Sequence, residues 1–504
     1  MLQLLGTNGR APSLSIALLT LAIGLFLAYC LGWCFYQLFL NPLRRFPGPK
    51  LWSVSNIPYV RMYLAGNGHR RMLELHEKYG PIVRIGPDFL SINHPDGMRE
   101  VRGHRKTPAG ENPRDPVEGR FNYDNIIGSD RFNHQRMRRS LAHAFSAQSM
   151  LEQQPIIMQY VNTLIDKLHE EARDGTRPLN ITKWLNFATF DVIGDLSFGE
   201  PFGCLESKTY HPWIETIFHS FKNQAYMTNI RRLSWLEPLL MLAIPRDLVV
   251  KFAKHRAFTH EKVKKRLALG EKRPDFMEAM VSRSESAGGA MTFDELASNA
   301  SVLIIGGSET TATLLSAATF FLATHPETLE KLKDELRSTF TSEGQIDMIS
   351  VQDLTYMQAV LRESMRLYPP VPSASPRTIA EGGDTILGEY LPEGTTVDVW
   401  QWAIYHNPKH FSRAEDFIPE RWLGDDRFVD DARTSLQPFS TGPRDCIGKN
   451  LAYAEMRLIL ARLIWNFDIR LSDDSRKWCD DSQVFVLWQK PDLNVYLVPR
   501  KLSG

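Results

Sequence analysis

The residues with the most pointed chemistry are Phe439-Ser-Thr-Gly442-Pro-Arg444-Asp-Cys446-Ile-Gly448, followed by the run Lys449-Asn-Leu-Ala-Tyr-Ala-Glu455-Met-Arg457. A single cysteine stands in a glycine-flanked loop just ahead of a helical segment. The first turn of a helix offers unpaired N–H groups and the positive end of its dipole, so a thiol there is expected to ionise easily. A thiolate held this way is a metal ligand or a nucleophile. Gly442 and Gly448 let the backbone turn tightly and approach a flat group. Arg444 suits a carboxylate, which a guanidinium clamps through two parallel hydrogen bonds. Together these residues describe a seat for a flat, carboxylate-bearing group with a metal at its centre. The plainer alternative is a buried structural cysteine.

A second chemical cluster lies on a helix that opens with a capping box, Thr292 to Glu295. It runs through Val302-Leu-Ile-Ile-Gly306-Gly307-Ser308-Glu309-Thr310-Thr311. Two glycines inside a helix cost roughly 1 kcal/mol each relative to alanine. Close approach of a planar group and a small ligand would compensate; so would a close helix–helix crossing. Thr310 is placed to hydrogen-bond back to the Gly306 carbonyl.

At both clusters the chain resembles the cytochrome P450 family of haem-thiolate monooxygenases. The loop matches all five fixed positions of Phe-x-x-Gly-x-Arg-x-Cys-x-Gly, and Gly306 to Thr310 match Ala/Gly-Gly-x-Asp/Glu-Thr. The resemblance implies haem b, with Cys446 as the iron ligand; a thiolate pushes electron density onto iron and favours O–O cleavage. It implies cofactor contacts from Phe439, Arg444 and Gly448, and makes Glu309 and Thr310 a proton relay to dioxygen. His134 and Arg138 share one face of a helix opened by His134-Gln-Arg136-Met-Arg138-Arg139. By the resemblance Arg138 meets a haem propionate with His134 beside it. Arg377, in Pro372-Ser-Ala-Ser-Pro-Arg377, meets one from a strand, while Val371 to Ala374 line the distal pocket together with a turn near Gln483 to Val486. Arg136 and Arg139 lie on another stripe and suit an acidic redox partner or plain solvent.

Other elements position these residues. Glu363 and Arg366, three apart in one helix, and Arg421 in Phe417-Ile-Pro-Glu-Arg421-Trp match the family's buried charge network. Trp184 to Phe198 is apolar at helical spacing and reads as core. Gly68 to Tyr79 reads as a helix, and Pro81 to Gly86 with Phe89 to Asn93 as a hairpin. Gly103 to Ser129 reads as a long loop, which by the resemblance roofs the substrate pocket. Residues 212–245, with Trp213, Ile217, Phe218, Phe221, Tyr226, Trp235 and Leu239, mix aromatics with aliphatics; the resemblance makes them a lid over the substrate channel, and plain core packing is the alternative.

Ala11 to Leu43 carries no charge, longer than the ~20 residues that span a bilayer. Arg44, Arg45 and Lys50 follow, which sets that flank in the cytosol. Pro47-Gly48-Pro49 reads as a stiff hinge. The expected division is a membrane anchor, residues 1–43, and a monooxygenase domain, residues 44–504. Lys+Arg of 59 against Asp+Glu of 58 leaves a net charge of +1, which argues against nucleic acid as partner. The five cysteines are sparse and form no disulfide framework or paired zinc motif.

The expected fold is mainly α with a small β-rich lobe and an N-terminal transmembrane helix. The resemblance implies NADPH-dependent hydroxylation or epoxidation of a lipophilic molecule with O2, on the cytosolic face of the endoplasmic reticulum. Electrons come from NADPH–cytochrome reductase, with cytochrome b5 as an optional second donor. The similarity is to fungal secondary-metabolism members, isotrichodermin hydroxylases among them. Alternatives are a haem-thiolate isomerase or dehydratase that does not use O2, a sterol-modifying monooxygenase, and a membrane-tethered haem sensor. Glu309 argues against a sterol 14-demethylase, which typically has histidine there.

Overall fold

The structure is a computed structural model that describes residues 14–105, 110–119, 124–234, 236–242, 246–270, 272–286 and 290–500. Trp235 and part of the roof loop lie outside the described residues. The helices that bear on function are α1 (Leu14–Phe35), α2 (Gly68–Tyr79), α3 (Arg131–Ala142), α4 (Ile181–Phe198), α5 (Pro212–Arg231), α6 (Phe293–Thr324), α7 (Thr355–Leu367) and α8 (Lys449–Asn466). The fold is mainly helical with small sheets, as the sequence led one to expect.

Helix α6 is the axis. Its capping box closes both ways: Glu295 N–H donates to Thr292 Oγ1 at 3.2 Å, and Thr292 N–H to Glu295 Oε2 at 2.9 Å. Helix α4 lies along α6 and is buried on every side except at Lys183. The two glycines of α6 divide the roles offered for them. A Cβ on Gly307 would sit 2.6 Å from Ile193 Cδ1 of α4, so this glycine permits the helix crossing. A Cβ on Gly306 would meet nothing within 4 Å, because that face opens into a cavity.

Eleven short strands are present among the described residues. Strands β1 (Ile82–Arg84) and β2 (Phe89–Ile92) form the expected hairpin; β2 pairs in parallel with β7 (Thr396–Val399), which pairs antiparallel with β4 (Ala374–Thr378). Strand β4 delivers Arg377. A second sheet joins β3 (Leu179–Asn180), β11 (Asn494–Pro499) and β8 (Phe467–Leu471), while β5 (Asp384–Ile386) with β6 (Glu389–Leu391) and β9 (Gln483–Val484) with β10 (Trp488–Gln489) are hairpins.

The charge network assembles. Arg366 grips Glu363 with Nε–Oε2 at 3.0 Å and Nη2–Oε1 at 2.8 Å, and Arg421 Nε reaches Oε1 at 3.3 Å, with all three side chains at 0% exposure. Trp422 Nε1 donates to Glu363 at 2.8 Å, and Asp431 holds the far side of Arg421. Desolvation offsets much of the attraction, so this network fixes register more than it adds stability.

At the N-terminus, Ser15–Leu40 is one apolar helical stretch whose most apolar 18-residue window has a mean hydropathy of 2.2 and lies outside the globule. The chain is gripped before Arg44. Gln37 and Leu43 are buried, Arg84 donates to the Gln37 carbonyl at 2.8 Å, and Trp33 Nε1 donates to Val54 O at 2.8 Å.

Candidate active site

The cysteine loop, α3, α6 and β4 converge on a cavity of about 360 Å³. Cys446 faces it from one wall, and Gly306 and Thr310 from α6. The loop is held by Cys446 N–H donating to Phe439 O at 2.9 Å. Gly442 is required in it: φ is +84°, and a Cβ would lie 2.0 Å from the Arg102 carbonyl oxygen. Gly448 caps α8, and a Cβ there would touch only Phe145 at 3.6 Å. The easy ionisation expected of Cys446 is not what its surroundings give. Its surface is exposed to the cavity, yet burial by the protein around that cavity pushes the thiol up, with Asp445 adding to it, against the pull of the Gly448 N–H, Arg138 and Lys449. A thiol on a metal is deprotonated outright, so full thiolate character belongs to the metal-bound state.

The basic residues line the cavity, with partners the sequence did not show. Arg444 closes on Glu111, with Nε–Oε1 at 3.0 Å and Nη2–Oε1 at 2.9 Å, and donates from Nη1 to Ser129 O at 2.8 Å. Arg138 donates to Asp445 O at 2.7 Å and Oδ1 at 2.5 Å, which ties α3 to the cysteine loop. These two arginines were expected to meet propionates; here protein oxygens take those donors. Arg377 is different. It is 3% exposed, and its Nε and Nη1 are buried without a partner. Burial, then Arg102, Arg114 and Arg444, hold its guanidinium well below the usual range. His134 is buried, and burial with Arg444 and Arg138 nearby lowers it to about 4, so it is neutral near pH 7. Arg102 and Arg114 also line the cavity, and no motif in the sequence marked them.

On α6, Thr310 Oγ1 donates to Gly306 O at 2.7 Å, as its spacing suggested. Glu309 does not stand beside it in the cavity. One helical step turns it away, into an ion pair with Lys490, whose Nζ also reaches Thr313 Oγ1 at 2.7 Å. The turn at Gln483 to Val486 is not on the cavity either; Phe485 packs against Tyr226 and Lys222 of α5. Val371 is on the cavity. Arg136 pairs with Glu295 at the start of α6 and is not available to a redox partner, whereas Arg139 is exposed.

A buried guanidinium with unpartnered donors, an excess of cationic side chains, a sulfur facing the cavity and a helix opened by Gly306 all suit a flat group that carries two carboxylates and a metal. The residues present fit haem. The sequence pattern described as Cytochrome P450 matches residues 46–496.

The chain belongs to the cytochrome P450 family. It is 53% identical over 484 residues to the trichothecene C-15 hydroxylase of Fusarium sporotrichioides, covering 96% of this chain and 98% of that protein. It is 42% identical over 496 residues to the averantin hydroxylase of Dothistroma septosporum, covering 97% and 93%. It is 40% identical over 473 residues to the cytochrome P450 monooxygenase astJ of Aspergillus oryzae, covering 93% and 94%. This P450 is a haem-thiolate monooxygenase with haem b as its cofactor, a reductase as its electron source, and O2 and a lipophilic molecule as substrates.

Proposed function

We propose that this P450 hydroxylates a trichothecene in fungal secondary metabolism. What supports the substrate class is the 53% identity along nearly the whole chain to a trichothecene C-15 hydroxylase. The observation that carries the chemistry is that Cys446 and Thr310 line one cavity. When bound, haem supplies the activation of O2 and the insertion of one oxygen atom. Cys446 Sγ would hold the iron. Arg377 would give its unpartnered donors to a propionate, with neutral His134 supplying one N–H, and Phe439 and Gly448 would shape the seat. Arg444 and Arg138 would fix the loop and leave the propionates partly to Arg102 and Arg377. Thr310 Oγ1 sits where a hydroxyl can pass a proton into the cavity, and Glu309 would act through ordered water from behind the helix.

Residues 1–43 are proposed as a single-pass anchor in the endoplasmic reticulum membrane and residues 44–504 as the cytosolic catalytic domain. Cytochrome b5 is proposed as a second electron donor. The test is product analysis after trichothecene precursors are fed to a host that makes this chain and a reductase. A hydroxylated product from wild type and none from Cys446→Ala supports the reading. Cys446→Ala should also lose the red-shifted Soret band of the reduced carbon monoxide adduct. Turnover without NADPH would favour the isomerase alternative.

A further inference from the structure

A second cavity, of about 270 Å³, lies at the neck where α1 meets the globule. Arg44, Arg45, Lys50 and Arg84 line it, with Leu38 at its membrane side and Tyr79 beyond. We propose that it binds the phosphate headgroup of an anionic phospholipid, an inference that rests on reading α1 as a membrane anchor.

Three observations carry it. The first is uncompensated charge. Arg45 shares Glu389 at 3.2 Å, but both side chains are about half exposed, 49% and 47%, so that pair is weak. Arg44 and Lys50 are exposed and make no ion pair among the described residues. Arg84 is 1% exposed, yet its hydrogen bonds go to neutral acceptors: Gln37 O at 2.8 Å, Gln37 Oε1 at 2.6 Å, Gly86 O at 3.2 Å and Pro87 O at 2.5 Å. Burial lowers its pKa, which Asp88 nearby only partly opposes. A buried cation without a carboxylate in contact projects its field into the adjoining cavity. The second is depth. Leu38 belongs to the last turn of the apolar stretch that ends at Leu40, so the cavity opens where the hydrocarbon ends and phosphates begin. The third is shape. A Cβ on Gly48 would lie 2.3 Å from the Arg84 carbonyl oxygen. The cavity wall therefore packs directly on the strand that carries the buried guanidinium.

The test uses the full-length haem-loaded protein in nanodiscs of phosphatidylcholine with a minor share of phosphatidylinositol, and native mass spectrometry to count retained lipids. Wild type should retain one phosphatidylinositol in preference to phosphatidylcholine. Arg44→Gln with Lys50→Gln should weaken that preference by about fivefold for each lost cation, with the haem spectrum unchanged. Equal retention of both lipids by wild type, or an unaltered preference in the double variant, overturns the proposal. Displacement of the lipid by equimolar inorganic phosphate also overturns it, since the site would then be one for free anions. Carbonate extraction of the same samples separates the two readings. A chain released from membrane defeats the anchor and the lipid site together, whereas a chain that stays embedded without lipid preference defeats the site alone.

Discussion

At the scale of single residues, the acid of the oxygen-side motif is the informative case. Glu309 and Lys490 are 5% and 4% exposed, and Glu309 Oε2 has no hydrogen-bond partner. Removing one member of such a pair leaves an uncompensated buried charge, at about 3–5 kcal/mol. Lys490→Met should therefore lower unfolding stability by that amount, and adding Glu309→Gln should restore most of it. Equal denaturation midpoints for the single and double variants would show that the two groups do not interact. Thr310 tests the chemistry separately. Proton transfer from a positioned group is worth roughly 10²–10⁴-fold where it governs a step. Thr310→Ala should keep the haem spectrum and substrate binding, while product per NADPH falls and peroxide rises. Coupling that stays at the wild-type level would remove Thr310 from the relay.

At the scale of elements, the paired glycines of α6 give opposite predictions. A methyl group at Gly307 presses on Ile193, and overpacking a core costs typically 1–3 kcal/mol. At Gly306 the space is open, so alanine gains about 1 kcal/mol of helix propensity but intrudes on the cavity. Thermal denaturation should show Gly307→Ala destabilised and Gly306→Ala not, while substrate titration should show only the latter with weakened binding; the reverse order would undo the assignment of the two glycines. The same helix shows what a sequence exposes. Its capping box, its glycines and the Thr310 back-bond are local, three or four residues apart, and they were legible. So were the cysteine loop and the Glu363–Arg366 step of the charge network. The partners of the charged site residues were not, because they are remote in sequence: Glu111 lies 333 residues before Arg444, and Lys490 lies 181 after Glu309. No periodicity encodes such pairs. The pocket role given to Gln483–Val486 failed for the same reason, since the choice between cavity and α5 is made by tertiary packing.

At the scale of the whole molecule, the proposed anchoring by α1 would make its junction with the globule decide how the active site stands relative to a bilayer. Pro47-Gly48-Pro49 suggested a stiff hinge, but the grip begins earlier. Helix α1 passes into a wider turn at Tyr36–Leu40. There Arg84 takes the carbonyl and side chain of Gln37, and Asn41 Nδ2 donates to Gln37 Oε1 at 2.8 Å. Trp33 Nε1 adds its bond to Val54 O. Helix α1 and the globule thus meet through hydrogen bonds, buried at Gln37 and exposed at Trp33, rather than through a free linker. Two outcomes follow that must be measured together. Membrane retention depends on the apolar stretch, so both wild type and Arg84→Leu should resist alkaline carbonate extraction. Neck rigidity depends on Arg84: Arg84→Leu takes the side-chain donor from the buried Gln37 carbonyl, at about 1–3 kcal/mol for an unsatisfied group, and leaves Gln37 Oε1 to Asn41 alone. Limited proteolysis of the membrane-bound variant should then cut between residues 36 and 50 sooner than in wild type, with the haem spectrum of the released domain intact. Wild type that is cut there as fast as the variant would mean that the neck is a flexible tether, and the active site would have no fixed attitude to the bilayer.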